Sequence, residues 1–194
     1  MAEDRHDNSN AFATLAAAAP TARSTADVLG LIATHSGDIN VHLRSINENG
    51  LKFWIGKPTT TYCPSEVVTN CPNGTFTQLI ASTDSEGISM NVEVPGGQQA
   101  YVANDGSLSV TQAHSGSTGT NGLRGPFSYT PAASEGTVGQ LSFNGNGFLA
   151  CPSAEASVYQ IFAAGYPGFV APEGCIGVGL ATSVIDSAPV WQYI

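Results

Sequence analysis

ISMNVEVPGGQQAYVANDGSLSVTQAH, residues 88–114, decides the fold class. Ile88, Met90, Val92 and Val94 alternate with Ser89, Asn91 and Glu93, the period of a strand with one face on a core and one in water. Pro95-Gly96-Gly97 ends that strand. Residues 98–103 form a second strand that runs into Asn104-Asp105-Gly106, residues that tolerate φ > 0 and suit a tight hairpin. Leu108 and Val110 then resume the alternation. The stretch reads as an antiparallel three-stranded meander, which specifies a β framework without specifying an activity.

The composition extends that reading to the whole chain. At 194 residues the length fits one domain that removes about 70% of its unfolded surface from water. Charged residues make up only 11%, and there are 22 Gly and 11 Pro. Surface helices normally carry Lys and Glu in quantity, so this balance favours turns and strands. Six basic against fifteen acidic residues give a net charge of −9. Phosphate binding needs clustered positive charge, so nucleic acid is not an expected partner. No run approaches the roughly 18 apolar residues that span a bilayer, so a membrane is not expected either.

The first part of the chain reads separately from the rest. Residues 1–10 are polar and charged, and residues 12–19, FATLAAAA, have the form of two helical turns capped by Asn10 and stopped by Pro20. The same apolar stretch with Ala17-Ala18-Ala19 resembles the end of an export signal, but acidic residues stand where a signal carries basic ones. Residues 1–26 are therefore read as an N-terminal arm, a remnant or replacement of a signal, and 27–194 as the all-β domain.

From Asp27 onward the β pattern is dense. Residues 28–33 are a continuous apolar run, the mark of a strand buried on both sides. Ile39, Val41 and Leu43 alternate with Asn40, His42 and Arg44 as a half-buried strand, and Asn47-Glu48-Asn49-Gly50 reads as a turn. Leu51, Phe53 and Ile55 then face opposite to Lys52 and Trp54. Further short strands are expected at 76–81, 127–130, 141–143, 148–151, 158–163, 176–180 and 190–194, with Trp191 as a core plug. About a dozen short strands at regular spacing point to an antiparallel β-barrel or β-sandwich, with a β-trefoil as the next choice.

Cys63, Cys71, Cys151 and Cys175 allow three pairings. The sequential one, 63–71 with 151–175, is topologically simplest. A zinc site is disfavoured because neither pair has CxxC spacing or a nearby His, so no metal and no cofactor is expected. Disulfides imply an oxidising compartment. Asn73-Gly74-Thr75 is a sequon in a turn setting, which makes Asn73 a glycosylation candidate.

The blocks TYCPSEVVTNCPNGT, NVEVPGGQQAYVANDGSLSVTQAHS, GFLACP and the terminal WQY, in this order, resemble the PhiA-type fungal cell-wall proteins. These are small secreted proteins associated with hyphae and with phialide and conidium development. The resemblance runs from about Val28 to the end of the chain. It implies secretion, residence in the wall or medium, and glycosylation at Asn73; it brings no catalytic residue.

The chemical candidates are bland. His35, His42 and His114 sit beside a turn, on a polar strand face and at a loop start. Gly116-Ser117-Thr118-Gly119 lacks the spacing of a serine-hydrolase elbow. Asp84, Glu86, Glu93, Asp105, Glu135 and Asp186 supply carboxylates for glycoside hydrolysis, but sequence shows no facing pair. No enzyme is expected, and a glycan hydrolase is the least favoured alternative. Trp54, Tyr62, Tyr101, Tyr129 and Tyr166 are the candidate ligand-binding aromatics. The expected role is structural or interaction-based, in development or host recognition. Expected partners are a wall polysaccharide, bound in the manner of a lectin, or a protein of the host or of the fungus itself, with homodimerisation one way to cover strand edges.

Overall fold

A computed structural model describes residues 26–194. The helix and arm expected before Ala26 lie outside the described residues. Within them the chain has no helix and fourteen strands. In order these are β1 (Asp27–Thr34), β2 (Ile46–Asn49), β3 (Lys52–Ile55), β4 (Thr61–Tyr62), β5 (Leu79–Ala81), β6 (Ile88–Met90) and β7 (Gln99–Val102). They continue as β8 (Leu108–Val110), β9 (Phe127–Thr130), β10 (Gly139–Phe143), β11 (Phe148–Pro152), β12 (Tyr159–Ala163), β13 (Ile176–Val184) and β14 (Gln192–Tyr193).

Twelve of the strands form one sheet that returns on itself. Its path runs β1-β5-β6-β7-β8-β3-β12-β11-β13, and β1 closes the ring by pairing antiparallel with β13 from Leu29↔Val184 to Thr34↔Gly179. Closure removes the open edges of an antiparallel sheet. β10 and β9 extend from β13, and β2 pairs with the second edge of β3. β14 and β4 form a separate two-stranded ladder.

The meander expected at 88–114 is present as β6-β7-β8, with Ile88↔Ala100 and Tyr101↔Ser109 in register. β6 stops at Met90 because the following residues change partner. Glu93 N–H donates to the Val190 carbonyl and Val94 N–H to the Trp191 carbonyl, each at 3.0 Å. At the β7–β8 turn Gly106 has φ +82°, and a Cβ there would lie 2.5 Å from Cδ2 of Phe169. The turn and the ring resting on it together require glycine.

Two strand expectations are corrected. Residues 39–43 are turns, with Ile39 90% and Leu43 68% exposed and only Val41 buried. Asp38 is the cause: its Oδ1 accepts from Asn40 N–H at 2.8 Å and its carbonyl from His42 N–H at 2.8 Å, so local bonds displace a ladder. β1 is not buried on both sides; Leu29, Leu31 and Ala33 point inward, while Val28, Gly30 and Ile32 are half-buried on the outer face.

The core fills the ring with Leu29, Ile46, Phe53, Phe143, Phe148, Ile161 and Leu180, among others. Each such side chain contributes about 1.5–3 kcal/mol by leaving water. The disulfides Cys63–Cys71 and Cys151–Cys175 are both formed, as the sequential pairing required. Chain-entropy reasoning assigns them about 2.5 and 3.5 kcal/mol, so the interior outweighs them. Trp191 is not the core plug, being half-buried; Tyr193 takes that place at 1% exposure. The reason is a clamp: Gln98 Oε1 accepts from Tyr193 N–H at 2.8 Å, and Gln98 Nε2 donates to the Tyr193 carbonyl at 3.1 Å.

Candidate functional site

A cleft of about 480 Å³ opens where β1, β2 and the end of β13 meet the segment before β5. Its floor is apolar, from Leu31, Ile32, Ile46 and Ile185. Hydroxyl, amide and carboxylate groups border it, from Ser45, Asn47, Thr77, Ser183, Asp186 and Ser187. Phe76 also lines the cleft and is 63% exposed, an unusual position for an aromatic ring. An apolar surface with a few polar groups around it is the usual make-up of a small-molecule or sugar site.

The wall that carries Phe76 is fixed from behind. Tyr193 Oη donates to the Phe76 carbonyl at 3.0 Å and accepts from Gln78 N–H at 2.9 Å. Thr77 Oγ1 accepts from Glu48 N–H at 2.7 Å and lies 2.8 Å from Thr59 Oγ1. Fully buried Gln78 ties this wall to the opposite one: its Nε2 donates to the Ala188 carbonyl at 2.7 Å, and its Oε1 accepts from Asn91 Nδ2 at 2.8 Å.

Glu48, on β2 behind the cleft, is fully buried. Its Oε1 accepts from Leu51 N–H at 2.7 Å, which helps hold Leu51 at φ 59°, and Oε2 has no hydrogen-bond partner. Burial pushes the carboxyl up to about 8, against the pull of the Leu51 N–H and of Thr60. Glu48 is thus a neutral acid in weakly acidic surroundings. Tyr193 is also raised, by burial first and by the proximity of Glu48.

A second, shallower groove of about 370 Å³ lies beside the meander. Here Tyr101, half-buried on the outer face of β7, shares the lining with Lys52, Asp105, Ser109 and Gln112. Lys52 Nζ donates to Ser107 Oγ at 3.1 Å and reaches Asp105 Oδ2 at 3.5 Å. Partial burial works against the charge on Asp105, but the Ser107 hydroxyl and N–H and the Lys52 ammonium outweigh it and lower its pKa.

The other aromatics expected to bind ligand are dispersed. Trp54 is half-buried, its Nε1 donating to the Asn49 carbonyl, with the Lys57 ammonium 4.5 Å from its ring centre. Tyr62 is 50% exposed on β4, and Tyr166 donates its hydroxyl to the Asn121 carbonyl. Tyr129 is mostly interior: the alternation of β9 turns Phe127 and Tyr129 inward, and at 7% exposure Tyr129 only borders the depression that holds Asp84 and Glu86. Its hydroxyl donates to Asp27 Oδ2 at 2.9 Å, and burial and then that carboxylate raise its pKa.

The remaining candidates do not converge either. His35 donates through Nδ1 to the Gly177 carbonyl at 2.6 Å, and its own N–H reaches His42 Nδ1 at 3.2 Å; His114 lies apart, beside the last strand. Asp84 and Glu86 share one polar depression, Asp105 and Asp186 line the two sites above, and Glu93 and Glu135 are exposed elsewhere. Exposed Asn73 precedes Gly74, whose N–H donates to the Pro189 carbonyl at 3.2 Å. Among the described residues, no three His, Cys, Asp or Glu side chains are placed to hold a metal ion.

The sequence matches a known family over residues 29–194, the PhiA-like secreted proteins. The chain belongs to that family. It is also 37% identical over 169 residues to a protein of Arthroderma benhamiae described as an uncharacterized secreted protein, with 83% of each chain covered. No solved structure matches it. Membership makes this a secreted protein of fungal type, consistent with its two formed disulfides.

Phe76, Glu48, Ser183, Ile185 and Ser187 are not singled out by sequence, whereas Asp186 of the same rim is named there as a carboxylate. A signal for Glu48 exists in retrospect: Ile46-x-Glu48 keeps strand alternation, which puts the carboxyl on the inward face.

Proposed function

We propose that the protein is a non-catalytic, wall-associated secreted protein that binds wall polysaccharide in the Phe76 cleft. The observation that carries this is exposed Phe76 on the wall of a cleft with an apolar floor, bordered by Ser45, Asn47, Ser183 and Asp186. A pyranose has the complementary surface, with C–H faces that stack on an aromatic ring and hydroxyls that bond to amide, hydroxyl and carboxylate groups. The tie through Gln78 pre-organises both walls, so little ordering opposes binding. A non-catalytic role is favoured because the acid with the strongly raised pKa, Glu48, is beyond the reach of a substrate. An N-glycan on Asn73 is part of the same reading, three residues from Phe76 on an exposed segment.

The test is retention of the oxidised protein on insoluble chitin, β-1,3-glucan and mannan, with the supernatant assayed for released sugar. Saturable retention without release supports the proposal. Release of sugar, or no retention on any of the three, overturns it.

A further inference from the structure

Two walls of the cleft share one buried acid. Ile46 and Asn47 line the cleft from β2, and Glu48 is the next residue. Its N–H holds Thr77 on the facing wall, and its side chain holds the turn at Leu51. The carboxyl is removed from water, and Oε2 has no partner. Such a group costs less as the neutral acid than as a carboxylate, which leaves a buried charge without a counterion.

Leu51 and Thr60 ease the charge in part, but the surroundings offer no counterion. From the last strand the titratable group facing Glu48 is Tyr193, itself neutral. From the β2–β3 hairpin the nearest cation is Lys52, already engaged by Asp105 and Ser107. The segments 59–60 and 76–78 bring only hydroxyl, amide and apolar groups, and the Ile194 carbonyl is taken by Gly50 N–H and Thr60 Oγ1.

We propose that Glu48 is a proton-operated latch on the cleft: as the neutral acid it keeps β2 packed against the Phe76–Gln78 wall, and as the carboxylate it loosens that wall and releases the bound glycan. This rests on the polysaccharide reading and adds its regulation, with retention in acid and release in alkali. Burial places the titration of Glu48 at about 8, so the latch is closed at the acidic side of neutrality.

The experiment follows two readouts from about pH 5 to about pH 9 in the full chain and in Glu48→Gln, which keeps the shape and removes the charge. One readout is retention on insoluble β-1,3-glucan, chitin or mannan. The other is hydrogen-exchange protection of the Leu51 and Gln78 amides, corrected for intrinsic exchange. The expected result is that protection and retention in the wild type both fall as pH rises, protection by up to about tenfold per pH unit until the titration at about 8 and levelling above it, while in Glu48→Gln neither changes with pH.

Protection that stays constant in the wild type overturns the latch, whatever is bound. Protection lost while retention persists also overturns it. Protection lost with no retention by either protein at any pH leaves the wall's response to Glu48 in place and instead overturns the polysaccharide reading. If Glu48→Gln does not fold, the wild-type protection profile decides alone by the same criterion.

Discussion

The hydroxyl of Tyr193 donates to the carbonyl of Phe76 at 3.0 Å, so a residue of the last strand fixes the backbone of the exposed ring 117 positions earlier. The same hydroxyl accepts from Gln78 N–H, which is buried where water does not compensate its loss. Tyr193→Phe keeps the ring's packing and removes both bonds. It is expected to cost about 1–3 kcal/mol, the penalty for stranded buried backbone groups. Thermal unfolding reads this as about 2–4 °C for each kcal/mol in a chain of this size. An unchanged melting temperature would refute the clasp.

The buried acid predicts a direction for stability against pH. The folded protein holds the Glu48 proton up to about 8, whereas a glutamate carboxyl in water ordinarily releases it near 4.5. The folded state therefore binds more protons across that window, and stability falls as pH rises from about 4.5 through about 8. By about pH 7 the accumulated loss is roughly 3 kcal/mol. Other carboxylates add slopes of their own, so the informative quantity is the difference between wild type and Glu48→Gln in urea midpoints across that range. It should grow with pH in favour of the variant; parallel profiles would show that Glu48 does not titrate as its burial demands.

Gly106 tests whether the meander's turn and the loop over it form one unit. Its φ of +82° disfavours any L side chain, and a methyl group would press into the Phe169 ring, which stacks on Phe162 at 5.5 Å. Gly106→Ala is expected to lose about 1–3 kcal/mol through backbone strain and overpacking. A lower denaturant midpoint with an unchanged slope is the signature to look for. A neutral result would mean that Phe169 moves aside freely.

The fold was more legible than the site because strand alternation and turn residues are local signals. β6-β7-β8 and the β9 strand follow from neighbours in sequence, and the cysteine pairing from the short intervals between partners. Residues 39–43 defeated the alternation because the Asp38 side chain captured backbone that a strand would have used. The cleft is different in kind. Phe76 comes from before β5, Ile46 from β2 and Asp186 from after β13, and they meet only because β1 closes the ring against β13. Glu48 in Asn-Glu-Asn-Gly looks like a solvated turn until the pairing Glu48↔Phe53 places it beside a core phenylalanine.

Phe76→Ala separates the Phe76 cleft from the Tyr101 groove as the polysaccharide site. The ring is 63% exposed and its backbone is held by Tyr193, so truncation removes a stacking face while leaving the core intact; unfolding should shift by less than about 0.5 kcal/mol. Retention on the preferred insoluble glycan should fall by about tenfold or more, corresponding to a loss of about 1.4 kcal/mol or more in binding. Tyr101→Ala, on the outer face of β7 beside Lys52 and Asp105, should leave retention within about twofold, less than about 0.5 kcal/mol. The reverse pattern, with Tyr101→Ala abolishing retention and Phe76→Ala sparing it, would move the site to the groove beside the meander. There the Lys52–Asp105 pair, held by Ser107, would supply the polar contacts in place of Asn47 and Asp186.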